Sequence, residues 1–284
     1  MIKKKMDINT LKKIIEKFLC EDIGSGDLTS EATITQEQIG TAAFVAKGSF
    51  VVCGVETVAS LVFTIQNPAI VITQASRDKT LASPGDLLLT AKGPVQDLLK
   101  AERVALNLVQ RLCGIATLTA QFVENVKPLP VRILDTRKTT PGLRMLEKYA
   151  VRVGGGYNHR FNLADGVLIK DNHIQACGSI KDAVDRMREK VPHTMKIEVE
   201  ASSLEEVREC LNSSVDIIML DNMSTDQMRE AVKLAGGRAI LEASGGMSLD
   251  NVRAVAETGV DYISVGALTH SAPACDISMQ LKSP

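Results

Sequence analysis

The stretch from Ile133 to Ile174 reads ILDTRKTTPGLRMLEKYAVRVGGGYNHRFNLADGVLIKDNHI and carries the pattern that decides the fold. Short apolar runs end in charged residues, as VRIL does at Asp135 and GVLI does at Lys170. The cationic residues that follow these runs and the glycine-rich turn are Arg137, Lys138, His159, Arg160 and Lys170. So many cations at strand ends predict a pocket for a small molecule with several negative charges.

The same alternation of strand and helix continues downstream. Apolar strand patterns occur at 131–134, 166–170, 196–201, 216–220, 238–244 and 261–266. Helical patterns lie between them at 142–152, 179–190, 203–212, 225–235 and 248–258. This repetition predicts an α/β fold with a parallel sheet. Polar residues end nearly every strand, and only a barrel uses all of its strand ends, so the pattern favours a (β/α) barrel with fewer than eight strands.

The first hundred residues have a different, mixed pattern. A helix that ends near Cys20 is followed by the turn-rich segment EDIGSGDLTS (21–30). Strand-like runs then occur at 41–48, 50–54, 69–76 and 86–93. We expect an open α+β layer here. Residues 97–126 have helical periodicity, and Gly114 is a candidate break between two helices.

Composition excludes several classes of protein. The 284 residues are 45% hydrophobic and 24% charged, which is typical of a globular protein. A net charge of −1 gives no general field for nucleic acid, and 3% aromatic residues without Trp argue against a stacking platform for single strands. The six cysteines form no CxxC pair and no zinc pattern, so we interpret them as free thiols. No signal peptide or run of transmembrane length is apparent, which predicts a cytoplasmic protein.

Two glycine-containing loops are candidates for phosphate binding. LEASGGMSLDN (241–251) places Ser244, Gly245 and Gly246 before a helix, with Ser248 as its expected cap. ISVGALTHS (263–271) places Gly266 and His270 after the last strand. Backbone N–H groups in such loops bind phosphate, although glycines also serve simple turns. Two such loops in succession favour phosphate.

Acidic residues end two neighbouring strands. Glu198 and Glu200 lie on one face of their strand because side chains alternate, and Asp221 ends the next strand. Buried carboxylates need partners. They can pair with Lys170 and Lys138, or hold Mg²⁺ together with a diphosphate, and the pattern leaves both possibilities open.

With these motifs in place, the chain resembles the quinolinate phosphoribosyltransferases over nearly its full length. The resemblance is carried by EDIGSGDLTS, AERVALNLVQRLCGIAT, DTRKTTPGLRMLEKYAVRVGGGYNHR, LIKDNH, IEVEA, LDN, EASGG and VGALTHS. It implies an N-terminal open α/β sandwich at 1–111, joined by a C-terminal helix at about 268–284. It also implies a catalytic barrel at 112–267, with seven strands.

The resemblance further implies an enzyme that transfers phosphoribose from PRPP to quinolinate. The products are nicotinate mononucleotide, CO₂ and pyrophosphate, in de novo NAD synthesis with Mg²⁺. The implied quinolinate ligands are Arg137, His159, Arg160, Lys170 and, from a neighbouring subunit of a homodimer or hexamer, Arg103. The implied phosphate ligands are Ser244, Gly245, Gly246, Gly266 and His270. Lys138, Glu200 and Asp221 are the implied catalytic residues, the last two also as metal ligands. By itself, Arg103 would be interpreted as part of a solvated helix face.

Two alternatives compete with this enzyme. A ModD-like protein linked to molybdenum transport shares much of the pattern but would use another acceptor. The five cations on the acceptor side favour a dicarboxylate instead. A binding protein without activity would keep the fold, but retention of Glu200 and Asp221 beside the phosphate loops argues against it.

Overall fold

The computed structural model describes residues 7–282. Helices and strands up to residue 126 are α1 (Ile8–Ile23), α2 (Leu28–Thr33), β1 (Ile39–Ala46), β2 (Phe50–Val51), a π-helix (Val55–Ala59), α3 (Ser60–Gln66), β3 (Val71–Ala75), β4 (Leu81–Ala82), β5 (Leu87–Pro94) and α4 (Val95–Val126). Those that follow are β6 (Arg132–Leu134), α5 (Arg144–Val153), β7 (Val167–Ile169), α6 (Asp171–Cys177), α7 (Ile180–Lys190), β8 (Ile197–Ala201), α8 (Leu204–Asn212), β9 (Ile217–Asp221), α9 (Thr225–Ala235), β10 (Ile240–Ser244), α10 (Val252–Ala256), β11 (Tyr262–Ser264), α11 (Ala267–His270) and β12 (Ile277–Lys282).

Two compact units are present. The first contains the described residues up to Leu118, the segment Pro141–Gly154 and the residues from Ala272 onward. The second contains Thr119–Thr140 and Gly155–Ser271. The boundary expected between residues 111 and 112 falls inside α4, because this helix runs unbroken to Val126.

The first unit is built on a four-stranded antiparallel sheet in the order β12-β1-β5-β3. The helix α1 begins at Asp7, whose carboxylate accepts hydrogen bonds from the N–H groups of Asn9 and Thr10. It buries Leu11, Ile15 and Leu19, which lie four residues apart and so form one apolar stripe. This unit agrees with the N-terminal sheet layer that the sequence predicts.

The expected C-terminal helix is wrong. Residues Ile277–Lys282 form β12, which pairs antiparallel with β1, and only Ala267–His270 is helical before it. The segment ISMQLK alternates apolar and polar residues, which suits a strand with one buried face. Residues 283–284 of the predicted helix lie outside the described residues, as do residues 1–6 of the predicted N-terminal domain.

Gly114 does not divide the helix α4. A Cβ atom at this position would lie 1.9 Å from the carbonyl oxygen of Pro273. The glycine therefore permits a close backbone approach within the first unit, and the helix continues through it.

EDIGSGDLTS forms the junction between α1 and α2. Gly24 ends α1 with a φ of 56°, and Asp27 caps α2 by accepting a hydrogen bond from the Ser30 N–H at 3.0 Å. The glycine and the capping aspartate explain why this segment turns.

The second unit contains a parallel sheet of six strands in the order β6-β11-β10-β9-β8-β7. Tyr157 forms an isolated parallel bridge with Leu134 of β6. The α/β fold with an N-terminal sheet and a C-terminal parallel β/α unit is confirmed. Within the described chain, this sheet has six strands and that isolated bridge where seven strands were expected, and β6 and β7 stand at the two ends of its order.

The two faces of this sheet differ in polarity. Ile218, Leu220 and Ala243 are fully buried, as expected for the face covered by helices. Register places Glu200 opposite Met219 and Met219 opposite Glu242, so these side chains share the other face. The face opposite to Ile218 and Leu220 therefore carries the glutamates of β8 and β10. The sequence predicted this shared face for two of them, Glu198 and Glu200.

Candidate active site

An ion pair joins two predicted site residues at the ends of neighbouring strands. Lys170 follows β7 and Glu200 lies in β8, and Lys170 Nζ is 2.7 Å from Glu200 Oε2. The next strand, β9, ends at Asp221, whose Oδ2 accepts a hydrogen bond from Asn222 Nδ2 at 2.7 Å. The pairing of Glu200 with Lys170 is therefore present in this structure.

Glu200 and Asp221 also suit a magnesium ion. Glu200 pairs with Met219, two residues before Asp221, so the two carboxylates lie on the same face of adjacent strands. Mg²⁺ prefers oxygen ligands and commonly binds one or two carboxylates together with substrate phosphates. The donor atoms that these two side chains present are compatible with that ion.

The loop after β10 is shaped around a glycine. Gly245 has a φ of 95°, and a Cβ atom on it would lie 2.1 Å from Asn222 Oδ1 and 3.0 Å from the Asn222 backbone nitrogen. The Asn222 N–H donates to the Ser244 carbonyl at 2.9 Å. The helix expected at 248–258 is found only at Val252–Ala256, where it forms α10. Its N-cap is Asn251, which donates a hydrogen bond from Nδ2 to the Gly246 carbonyl at 2.9 Å. Ser248 is therefore not the cap.

The loop after β11 lies beside Lys138. A Cβ atom on Gly266 would lie 3.1 Å from Lys138 Cδ and 3.1 Å from His270 Nε2. The Thr269 hydroxyl donates to the Lys138 carbonyl at 2.7 Å, which ties the two loops together. The structure thus brings three predicted residues, Lys138, Gly266 and His270, to one place.

His159 points toward two buried carboxylates. Its Nε2 lies 3.1 Å from Glu198 Oε2 and 3.7 Å from Glu242 Oε1. Its Nδ1 accepts a hydrogen bond from the Arg160 N–H at 2.7 Å, which assigns the proton of a neutral ring to Nε2. One ring nitrogen of His159 and one carboxylate oxygen each of Glu198 and Glu242 lie within 4.8 Å of one another.

A cavity of about 600 Å³ reaches this cluster. His159, Arg160 and Glu242 line it, together with Ile217 and Ile240, which are the first residues of β9 and β10. The cavity thus extends toward the amino ends of the strands, away from the Lys170–Glu200 pair. Its volume alone does not mark the substrate site, and the polar groups at the carboxyl ends do so better.

Two predicted guanidinium groups influence each other. Burial lowers the pKa of Arg160, the nearby Arg137 charge lowers it further, and Glu198 opposes this shift. Arg160 Nη1 also donates to the Gly166 carbonyl at 2.9 Å. Two neighbouring cations that repel each other are suited to an anion with more than one negative charge.

Arg103 lies on α4 in the first unit. Its side chain is 57% exposed, and its Nη2 lies 3.9 Å from Glu102 Oε1. This agrees with a solvated helix face within one chain.

Two further buried acidic residues of the second unit, Asp135 and Glu242, lie beside His159 and were not predicted from the sequence as site residues. Asp135 is fully buried and accepts hydrogen bonds from the His159 N–H and from Asn158 Nδ2, at 2.9 Å and 2.5 Å. Glu242 is 3% exposed. The signal for Glu242 was available, because strand alternation puts it on the same face as Ser244 two residues later.

In the described part of the chain, all six cysteines are free thiols, as interpreted from the sequence. Residues 7–282 contain no helix that is both long and apolar enough to cross a membrane.

Comparison with known proteins identifies the family. The model of the quinolinate phosphoribosyl transferase N-terminal domain matches residues 27–113, and that of the C-terminal domain matches residues 115–280. The chain belongs to the quinolinate phosphoribosyl transferase family. This confirms the resemblance that the motifs indicated.

Members of the family from several organisms are similar over nearly the whole chain. A probable nicotinate-nucleotide pyrophosphorylase (carboxylating) of Bacillus subtilis is 46% identical over 95% of this chain and 93% of that protein. The nicotinate-nucleotide pyrophosphorylase (carboxylating) of Mycobacterium leprae is 41% identical over 97% of this chain and 98% of that protein. The crystal structure of NadC from Streptococcus pyogenes matches with a TM-score of 0.94 and 40% identity, covering 99% of both chains.

Proposed function

We propose that this chain is a quinolinate phosphoribosyltransferase (decarboxylating), a pentosyltransferase of NAD biosynthesis. It transfers phosphoribose from PRPP to N1 of quinolinate and releases pyrophosphate and CO₂. The observation that carries this proposal is that Lys170, beside Glu200, and Lys138, beside the Gly266 loop, lie in the parallel-sheet unit of a chain that belongs to this family. The relatives named for this reaction cover nearly the whole chain.

The acceptor side requires focused positive charge. Quinolinate is a dianion, and Arg137 and Arg160 offer planar guanidinium groups that bind carboxylates with two hydrogen bonds each. Lys170 adds a third charge from the end of β7. Its Nζ lies 2.7 Å from Glu200 Oε2. When quinolinate binds, a carboxylate of the substrate therefore either replaces Glu200 as the partner of Lys170 or shares the ammonium group with it.

The PRPP side uses the two loops after β10 and β11. Backbone N–H groups around Gly245, Gly246 and Gly266 bind the 5′-phosphate, and His270 lies beside the second loop. Lys138 packs against Gly266, from where its ammonium group meets the leaving pyrophosphate or the quinolinate ring.

Glu200 and Asp221 act at the ribose. Departure of pyrophosphate leaves a ring with oxocarbenium character, which the two carboxylates stabilise by their negative charge. They are also the side chains that would hold Mg²⁺, which when bound neutralises charge on the diphosphate. Loss of the 2-carboxylate as CO₂ needs no general base, because its electron pair stays on C2, where the adjacent positive charge on N1 stabilises it. A proton from solvent then takes the place of the carboxylate at C2.

The proposal includes an assembly and a location. Arg103 is exposed on its own chain. We place it in the active site of a neighbouring subunit, which makes the enzyme at least a homodimer and allows a hexamer. We also propose that the enzyme works in the cytoplasm.

The test is an assay with quinolinate, PRPP and Mg²⁺ that follows nicotinate mononucleotide, with nicotinic acid in place of quinolinate as the control. Product from quinolinate only is expected, because the arginines recognise two carboxylates. Bound PRPP without product from either acid would contradict the proposal and favour another acceptor, as in a ModD-like protein.

A further inference from the structure

Residues 155–166 carry His159 and Arg160, which the resemblance implies as quinolinate ligands, but have little regular structure. Their one connection to the sheet ladder, within the described chain, is the bridge between Tyr157 and Leu134. Parallel strands elsewhere in the second unit are held by continuous hydrogen bonds. Other interactions must therefore fix this segment if Arg160 is to keep a defined position.

Asp135 supplies the first of these interactions. It follows β6 directly and is fully buried. Its Oδ1 accepts from the His159 backbone N–H at 2.9 Å, and its Oδ2 accepts from Asn158 Nδ2 at 2.5 Å. Both carboxylate oxygens are thus used to hold consecutive residues of the segment.

Glu198 and Glu242 supply the second interaction. They reach the imidazole Nε2 of His159 from two different strands, β8 and β10. They are 5% and 3% exposed, and within residues 7–282 neither Glu198 Oε1 nor Glu242 Oε1 has a hydrogen-bond partner. Two carboxylates buried in this way are unfavourable for folding, so stability does not account for them.

The imidazole transmits this constraint to Arg160. Its Nδ1 accepts the Arg160 N–H at 2.7 Å, so both ring nitrogens are engaged within the protein. The ring is oriented as a link between the carboxylates and the Arg160 backbone, and it offers no free nitrogen to a substrate. The guanidinium of Arg160 remains the group that recognises the ligand, beside the charge of Arg137.

We infer that Asp135, Glu198 and Glu242 are positioning residues that hold Arg160, through His159, at the subsite for the pyridine dicarboxylate. This inference rests on the proposed function. The three carboxylates hold residues 155–166 in place where continuous strand pairing is not formed. They affect only the side of the active site that binds quinolinate.

The first test compares two substitutions of one residue. Glu198→Leu removes the acceptor of the His159 Nε2–H at similar volume, and Glu198→Gln keeps an oxygen there. We expect Glu198→Leu to raise the KM for quinolinate about tenfold, as for the loss of one hydrogen bond. The KM for PRPP should stay unchanged, and the melting temperature should not fall. Glu198→Gln should restore most of the affinity for quinolinate.

A second variant keeps the inference testable if Glu198→Leu does not fold. Asp135→Asn retains the size of the side chain but accepts only one of the two hydrogen bonds, so it also raises the quinolinate KM selectively. Asp216→Asn is the matched control, because Asp216 accepts the Ile197 N–H at 2.8 Å at the opposite ends of the strands. It should leave both KM values unchanged.

The outcomes separate this inference from the proposed function. Absence of wild-type turnover with quinolinate refutes the proposed function and, with it, the inference. Wild-type turnover with equal KM values in Glu198→Leu, Asp135→Asn and Asp216→Asn overturns the inference alone. So does one equivalent of Zn²⁺ or Mn²⁺ that the protein retains without PRPP and loses in Glu198→Leu, because the carboxylates would then be metal ligands.

Discussion

Glu242 shows how burial alters a single side chain in the parallel sheet. Burial raises its pKa to about 7, the neighbouring Glu198 charge raises it as well, and His159 opposes the shift. An exposed glutamate loses its proton at a pH well below 7. Near neutral pH, the proton on this carboxyl is therefore held by the folded state and released on unfolding.

Stability should consequently depend on pH through this residue. The folded state binds this proton more tightly than the unfolded chain does, so the free energy of unfolding falls as the pH rises from about 4.5 through about 7. The loss relative to Glu242→Gln is on the order of 3 kcal/mol. Urea unfolding between pH 5 and 8 measures it, with the exposed Glu205→Gln as the control. Parallel profiles for wild type and Glu242→Gln would refute this prediction.

Lys170 allows a direct test of the acceptor site. Removing its ammonium group in Lys170→Ala should raise the KM for quinolinate by about 10- to 100-fold, the usual effect of losing a charged hydrogen bond. Saturation kinetics in each substrate measure this. Lys181→Ala is matched, because Lys181 also pairs with a carboxylate, that of Asp185, on an exposed helix. Equal quinolinate KM values in the two variants would show that Lys170 is not a ligand.

At the scale of elements, the loop between β10 and α10 depends on Gly245. Alanine here requires a φ of 95° and meets Asn222 Oδ1 at 2.1 Å. Gly237 has a φ of 80° and open space around it. Gly245→Ala should therefore raise the KM for PRPP at least about tenfold, whereas Gly237→Ala adds only backbone strain of about 1 kcal/mol. PRPP saturation and thermal unfolding of both variants test this, and unchanged PRPP kinetics in Gly245→Ala would count against a phosphate role for the loop.

Most elements of the second unit could be predicted, because an apolar run bounded by polar residues specifies a buried parallel strand locally. The helix expected at 225–235 is found at Thr225–Ala235, and the strand expected at 196–201 at Ile197–Ala201. The C-terminal strand was not predicted, although Ile277, Met279 and Leu281 alternate, because its partner β1 lies more than 200 residues away. Such pairing has no local signal.

At the scale of the whole molecule, the sequence predicted which residues lie close together, but not which atoms of their side chains contact one another. Parallel strands bring their carboxyl ends together, so the proximity of Lys170 and Glu200 follows from the alternation. The cluster of His159, Glu198 and Glu242 needs strand register and side-chain direction as well. Those depend on packing across the sheet, which a single sequence does not reveal.

The proposed sharing of the active site between subunits predicts complementation. Arg103→Ala and Lys138→Ala chains should each be inactive, because each lacks one part of every site. Mixed and reassembled, they form dimers with one intact site, so that random pairing restores about one quarter of the wild-type activity. Activity of mixed chains after denaturation and refolding measures this. No recovery, with mixed dimers present, would place Arg103 outside the neighbouring site.

In the proposed reaction, phosphoribosyl transfer and loss of the 2-carboxylate occur together on this chain. The most direct measurement follows ¹⁴CO₂ released from quinolinate labelled in the 2-carboxylate, alongside nicotinate mononucleotide and pyrophosphate. We expect equal amounts of all three products and no ¹⁴CO₂ without PRPP. Nucleotide that retains the label, or CO₂ release independent of PRPP, would contradict it.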